Sequence, residues 1–235
     1  MTKKFSIAVD AMGGDNAPEK VLEGINLLFE NNVDVHINIY GDENLILNCM
    51  KKYKYLNDNN CRIIHSPDKV PGDISVRDAI KLGKQTSMWM VIDSVKAGEN
   101  DIIVSSGNTG ALLVMSKLIL KMIDGVDKPA LAGVWPNFKD FSIVLDLGAN
   151  IECNENNLVE FSILGSELYK TILNKSEVVA GLLNIGSEEI KGNDSIKNAH
   201  LKLQESKNLN FNYKGYVEGN EIKNGDVQVI ITDGF

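Results

Sequence analysis

Short apolar runs of strand length alternate with amphipathic segments of helix length from one end of this chain to the other, and that alternation leaves few folds open. The runs lie at residues 5–10, 35–40, 62–65, 101–105, 131–135, 142–147, 178–185 and 227–232. Parallel strands need long crossovers, usually helical, and strands covered on both faces read as continuous apolar stretches. The pattern therefore predicts an α/β fold of three layers, with a doubly wound, mostly parallel sheet between helices. Pro18 falls in the first turn of a helix running to about residue 30, where its missing N–H costs nothing. Leu112, Leu113, Met115, Leu118, Ile119, Met122 and Ile123 give a later helix a broad apolar stripe suited to core packing, with Lys117 and Lys121 on its other side.

No internal repeat and no linker rich in Pro, Gly or Ser marks a boundary, so residues 1–235 read as one domain. The Asn-rich stretch 191–212 carries only a faint helical pattern, and residues 214–226 look like a β hairpin leaving the main sheet. The chain stops at Asp233-Gly234-Phe235, directly after an apolar run, where such a sheet ordinarily has a covering helix. A C-terminus cut short is expected.

With 43% hydrophobic and 24% charged residues over 235 positions, the chain can bury a sizeable core. A net charge of −8 argues against nucleic-acid binding, which needs a basic face to displace counterions from phosphates. Arg62 and Arg77 are the only arginines, so planar bidentate grip on an anion has few candidate positions. Three cysteines without C-x-x-C spacing suggest neither a disulfide framework nor a zinc site, and a reducing cytoplasm fits best. The first residues run straight into a strand pattern, without the apolar region of a signal peptide. No apolar run approaches the roughly 18 to 20 residues of a membrane-spanning helix.

Ligands of open α/β sheets sit beyond the carboxyl ends of the strands. Four strand ends combine glycines, which let backbone approach a ligand closely, with hydrogen-bonding side chains. They are Asp10-Ala11-Met12-Gly13-Gly14-Asp15, Ser105-Ser106-Gly107-Asn108-Thr109-Gly110, Asp146-Leu147-Gly148-Ala149-Asn150 and Asn184-Ile185-Gly186-Ser187. The second of these opens a helix, whose unpaired N–H groups and positive dipole end favour an anion, and phosphate is the expected ligand. A tight turn with Asn108 or Thr109 as a plain helix cap explains the same residues. Neither a dinucleotide fingerprint nor a Walker loop is present. Arg77, Lys81 and Lys84 recur at spacings of four and three, so one helix would present all three charges along one side, either to an anion or to solvent.

Nucleophilic catalysis finds little support. No G-x-S-x-G elbow occurs, and His36, His65 and His200 have no visible Ser or Cys partner. Cys153 follows the Gly148 loop as a conceivable acyl acceptor or an inert thiol, and His65 ends a strand as a site or a structural residue. Asp10 and Asp15 are two carboxylates without a third metal ligand.

Taken together, the motifs resemble the bacterial PlsX family of phosphate acyltransferases over nearly the whole chain. The resemblance rests on residues 10–15 with Pro18, Thr86-Ser87-Met88, residues 106–111, 145–150, 181–186 and 188–192, 215–219, and Asp233-Gly234-Phe235. It implies transfer of a long-chain fatty acyl group from acyl carrier protein to inorganic phosphate, giving acyl phosphate for phospholipid synthesis, with no metal or cofactor. It also implies a homodimer and a fold shared with phosphate acetyltransferases and with isocitrate and isopropylmalate dehydrogenases. The family usually has Ala where this chain has Ser106, and it continues through a helical hairpin tied to dimerisation and to contact with the inner face of the membrane. The resemblance places no counterpart of that hairpin within residues 1–235.

Dianionic phosphate attacks a thioester without a Ser–His activator, so the protein mainly has to hold it. On this reading Asn108, Thr109, Ser106 and the backbone of Gly107 to Gly110 grip phosphate, and Arg77, Lys81 or Lys84 offsets its charge. Gly13, Gly14 or Asn150 donates to the developing oxyanion, with Asp10 and Asp15 beside the substrates. Lys51, Lys52 and Lys54 form a cluster suited either to docking the acidic carrier or to solvent. Two competing readings are a short-chain acyl-coenzyme A phosphate acyltransferase and an inactive remnant that binds phosphate or the carrier.

Overall fold

Strand-length runs become strands in two separate sheets. A computed structural model of the chain describes residues 4–188 and 190–234; Glu189 and Phe235, which belong to two of the motifs above, lie outside the described residues. The span expected as one domain resolves into two compact units, Met1–Lys121 and Met122–Phe235. Nothing compositional announces the division. It falls where the helix before it ends on Lys121, a non-glycine residue in a left-handed conformation with φ of 70°.

In the first unit β1 (Ser6–Asp10), β2 (His36–Gly41), β3 (Cys61–His65) and β4 (Ile102–Ser105) are all parallel, in the order β3-β2-β1-β4. Helices α1 (Glu19–Glu30) and α2 (Glu43–Met50) bury Leu22, Ile25 and Ile46 with Val9, Ile37 and Ile39. On the other face α3 (Val76–Leu82), α4 (Ser87–Lys96) and α5 (Thr109–Leu120) bury Ala79, Met88, Val91, Ile92, Met115 and Ile119 with Ala8 and Tyr40. Neighbouring residues Ala8 and Val9 thus serve opposite cores, as the two-residue period of a doubly covered strand demands.

The second unit contains β5 (Gly133–Pro136), β6 (Phe141–Leu145), β7 (Val179–Leu183), β8 (Asn212–Val217) and β9 (Val229–Ile231), in the order β5-β6-β9-β7-β8. Among the described residues only β5 runs antiparallel to its neighbour. Helices α6 (Glu155–Leu173) and α7 (Asp194–Glu205) contribute Leu158, Phe161, Tyr169, Ala199 and Leu203 to a core with Ile143, Leu145, Leu182, Val229 and Ile231.

Three expectations change in detail. Residues 214–226 do not form a hairpin away from the sheet: β8 pairs in parallel with β7 as its edge strand. Gly215, with φ of 103°, and the register shift opposite it at Ala180/Gly181 mask the strand pattern. The apolar stripe of α5 buries Met115 and Ile119 but leaves Leu118 exposed, and the helix stops before Met122 and Ile123. The helix expected to carry Arg77, Lys81 and Lys84 breaks at Gly83, whose φ of 75° a β-carbon would disfavour. Lys84 therefore sits on a separate short 3-10 turn, Gly83–Gln85. Among the described residues no helix is long and apolar enough to cross a membrane.

Candidate functional site

Register brings the first two strand-end motifs side by side. Asp10 and Ser105 are partners in the β1–β4 ladder, so the loops that follow leave the sheet together. Asp10 is only 2% exposed and anchors both loops, accepting a hydrogen bond from the Met12 N–H at 3.1 Å and one from the Ser105 hydroxyl at 2.7 Å. Ser105 Oγ in turn accepts from the Gly107 N–H at 3.1 Å. A β-carbon on Gly13 would lie 2.7 Å from both Asp10 Oδ2 and the Gly107 nitrogen. On Gly14, at φ of 89°, a β-carbon would lie 2.8 Å from the Ser106 carbonyl oxygen, so only glycine lets these backbones meet.

Beyond this contact opens a cleft of about 430 Å³ lined by Met12, Gly14 and Asp15 of the first loop, residues 69–72, and Ser106 to Thr109 of the second. Asn108 caps α5: its side-chain oxygen accepts from the Ala111 N–H at 2.9 Å. Its Nδ2 donates to the Gly72 carbonyl at 2.9 Å and the Ile74 carbonyl at 3.3 Å, tying segment 72–74 to the helix start. Among the described residues the backbone N–H groups of Asn108, Thr109 and Gly110 have no acceptor, nor do the Ser106 and Thr109 hydroxyls. Three unspent N–H groups stand at the start of a 12-residue helix with two hydroxyls beside them, the kind of donor set that favours an anion.

The charges expected near that seat are arranged differently. Arg77, Lys81 and Lys84 are not among the lining residues. Lys81 is paired with Asp78 at 2.7 Å. That hydrogen bond, with a second from Ser75, holds the Asp78 carboxyl below its usual range. The cation that does line the cleft is Lys69, exposed and without an ion pair among the described residues. Nothing in the spacing of Lys69 marks it; its position next to Pro71-Gly72, the turn that Asn108 holds, was the available signal. Asp15 lines the same cleft and contributes a negative charge.

Asn150, expected as an oxyanion donor, lies in the second unit and spends its amide on Asp146 Oδ2 at 2.9 Å and the Pro129 carbonyl at 2.8 Å. Asp146, fully buried, also accepts from the N–H groups of Leu131, Ala149 and Asn150. Cys153 is half-buried, and burial with the nearby Asp146 carboxylate pushes its thiol up, which keeps it protonated. His65 accepts from the Glu43 N–H at the start of α2, a structural use. Lys52 is paired with Glu19 at 2.7 Å, Lys51 donates to Asn48, and Lys54 stands 5.3 Å from the Tyr55 ring, so the expected carrier-docking cluster has local partners. Among the described residues no three His, Cys, Asp or Glu side chains gather as a metal site.

A family model described as "Fatty acid synthesis protein" matches residues 5–235. The chain belongs to that family. A phosphate acyltransferase of Pelagibacter ubique is 52% identical over 235 residues, covering this whole chain and 70% of that protein. A phosphate acyltransferase of Rhodospirillum rubrum is 43% identical, covering this whole chain and 67% of that one. In fold the chain is similar to EutD phosphotransacetylase from Staphylococcus aureus, with a TM-score of 0.66 at 19% identity over 97% of this chain and 77% of that one. A branched-chain phosphotransacylase from Enterococcus faecalis gives 0.60 at 12% identity, over 97% and 78%. Both likenesses support the α/β architecture expected from the strand pattern.

Proposed function

We propose that this family member is a phosphate acyltransferase whose first-unit cleft holds inorganic phosphate as the nucleophile. The observation that carries the reading is the set of unspent N–H groups at Asn108, Thr109 and Gly110, flanked by the Ser106 and Thr109 hydroxyls and by Lys69. Matches along the whole of this chain to relatives named phosphate acyltransferase support the reaction class.

A phosphate oxygen attacks the carbonyl carbon of an acyl thioester, the carbon–sulfur bond breaks, and the thiolate leaves and takes up a proton. Acyl phosphate and free thiol are the products. Phosphate near neutral pH is already nucleophilic, so positioning and charge neutralisation supply the catalysis, and no side-chain nucleophile is required. Asn108 acts as a positioning residue, since both ends of its amide are engaged in holding the seat. Lys69 supplies the positive charge. Asp15, on the same cleft, disfavours a second anion and so limits the seat to one.

The donor in this reading is a long-chain acyl group on acyl carrier protein, with the product directed to phospholipid synthesis. Dimerisation and contact with a membrane surface belong to the same reading, and all of these are carried by the family resemblance. The test is to incubate the protein with acyl-acyl carrier protein, with and without inorganic phosphate, and to titrate the free carrier thiol. Phosphate-dependent release supports the assignment; release without phosphate, or none, sinks it. Replacing the donor by acetyl-coenzyme A separates the short-chain alternative.

A further inference from the structure

The first unit holds a second cavity, of about 560 Å³, that shares no lining residue with the cleft at the glycine loops. Strand register builds its floor. Asn38 and Tyr40 of β2 lie opposite Arg62 and Ile64 of β3, and the two-residue period turns all four to one face of the sheet. Met90, Asp93, Ser94 and Ala97 recur at helical spacings along α4 and its C-cap and complete the enclosure. Helix α4 packs over β1, β2 and β4, and the small Ser94 and Ala97 leave the space beside the edge strand β3 unfilled.

A buried amide fixes the polar part of that floor. Asn100, 3% exposed, engages both ends of its side chain: the oxygen accepts from Asn38 Nδ2 at 2.7 Å, and Nδ2 donates to the Tyr40 hydroxyl at 3.2 Å and to Ser94 Oγ at 3.0 Å. Two groups are left over. Among the described residues Asn38 Oδ1 accepts no hydrogen bond, and the O–H of the buried Tyr40 has no acceptor. One acceptor beside one donor complements a peptide unit. Charges line the same cavity: Arg62, one of the chain's two arginines, on β3, with Asp93 on α4 and Glu99 just beyond it. Among the described residues none of these three side chains has an ion pair or a hydrogen bond, with one another or with anything else. The carboxyl end of α4 adds partial negative charge on the side of Asp93 and Glu99.

We propose that this cavity binds a zwitterion of dipeptide size, with its carboxylate on Arg62, its amide on Asn38 and Tyr40, and its ammonium on Asp93 and Glu99. The planar guanidinium matches a carboxylate bidentately. An anion alone would meet two carboxylates, and a cation alone would meet Arg62, so only a ligand charged at both ends satisfies the lining. Ile64 and Met90 give its side chains an apolar wall. The volume falls in the range of small-molecule sites.

The test titrates the whole chain by calorimetry with alanyl-alanine, with its N-acetyl and C-terminal amide forms, and with free alanine. Alanyl-alanine is expected to bind roughly tenfold or more tighter than any of the other three, since each lacks one of the three contacts. Arg62→Leu should weaken alanyl-alanine about tenfold and leave the C-terminal amide form unchanged. Asp93→Asn combined with Glu99→Gln should weaken alanyl-alanine and leave the N-acetyl form unchanged. All three side chains are exposed, so an unchanged thermal midpoint is expected for both variants. The proposal is overturned by an absence of saturable alanyl-alanine binding, by equal binding of a capped form or of alanine, or by an Arg62→Leu loss that the amide form shares. No phosphate or thioester enters the measurement, so the result stands apart from the acyl-transfer reading.

Discussion

The two units build their strand-end loops by the same device and put it to different use. Each brings two glycine-bearing loops into backbone contact beside a buried aspartate: Gly13 against Gly107 near Asp10, and Gly148 against Gly234 near Asp146. Asp10 accepts one N–H and one hydroxyl, which fixes the turn and leaves the first N–H groups of α5 unspent. Asp146 accepts from three backbone N–H groups, those of Leu131, Ala149 and Asn150, and from the Asn150 amide. A buried carboxylate therefore makes an anion seat only when it takes few of the local donors. Where it takes several, as Asp146 does, it makes a closed turn.

Removing the two carboxylates should break this comparison most sharply. Asp146→Ala strands four donors and is expected to cost roughly 3–5 kcal/mol in denaturant unfolding, whereas Asp10→Ala strands two and should cost about half of that. Equal losses would mean that the donors do not set the difference. Next in size is Gly13→Ala. Its β-carbon meets Asp10 Oδ2 and the Gly107 nitrogen at 2.7 Å, so the loops must part, with roughly 1–3 kcal/mol lost and the phosphate KM raised tenfold or more. Steady-state kinetics in phosphate decides it, and an unchanged KM would detach the loop contact from the site.

Asn108→Ala removes a cap worth about 1 kcal/mol and the tether to Gly72 and Ile74. We expect the phosphate KM to rise about tenfold, matching in direction the effect of Lys69→Met, while Lys84→Met leaves it within about twofold, as an exposed charge off the cleft should. The smallest effect is one of pH. Burial pushes the Cys61 thiol up to about 11 from an ordinary 9.0 and raises the Tyr213 hydroxyl in the same direction. Groups held protonated in the folded state add stability that is complete below the unfolded pKa and is lost as pH climbs through the folded one. Thermal midpoints should therefore fall between pH 9 and 11, and Cys61→Ala should flatten that decline.

Much of this architecture was legible because burial writes it in apolar runs: eight of the nine strands among the described residues coincide with such runs to within a few residues. The ninth, β8, was hidden by Gly215 and by polar Asn212 and Lys214 on an edge strand, where one side needs no apolar face. The division into two units was not legible, since it depends on contacts between residues far apart in the chain rather than on a linker. At the site, the glycine loops were readable from local chemistry. The cation was not, because helical spacing singled out Arg77, Lys81 and Lys84, while Gly83 ends that helix and a turn held by Asn108 lies beside Lys69.

The double attachment of Asn108 carries a further consequence. One amide closes the start of α5 and also grips the carbonyls of Gly72 and Ile74, three and five residues beyond Lys69. The order of that segment and the readiness of the seat are thus a single variable. Whatever free energy an anion gains from an ordered segment, it must return as added order when it binds. Protection of residues 69–74 from proteolysis or amide exchange should accordingly follow phosphate occupancy, long before any acyl group arrives.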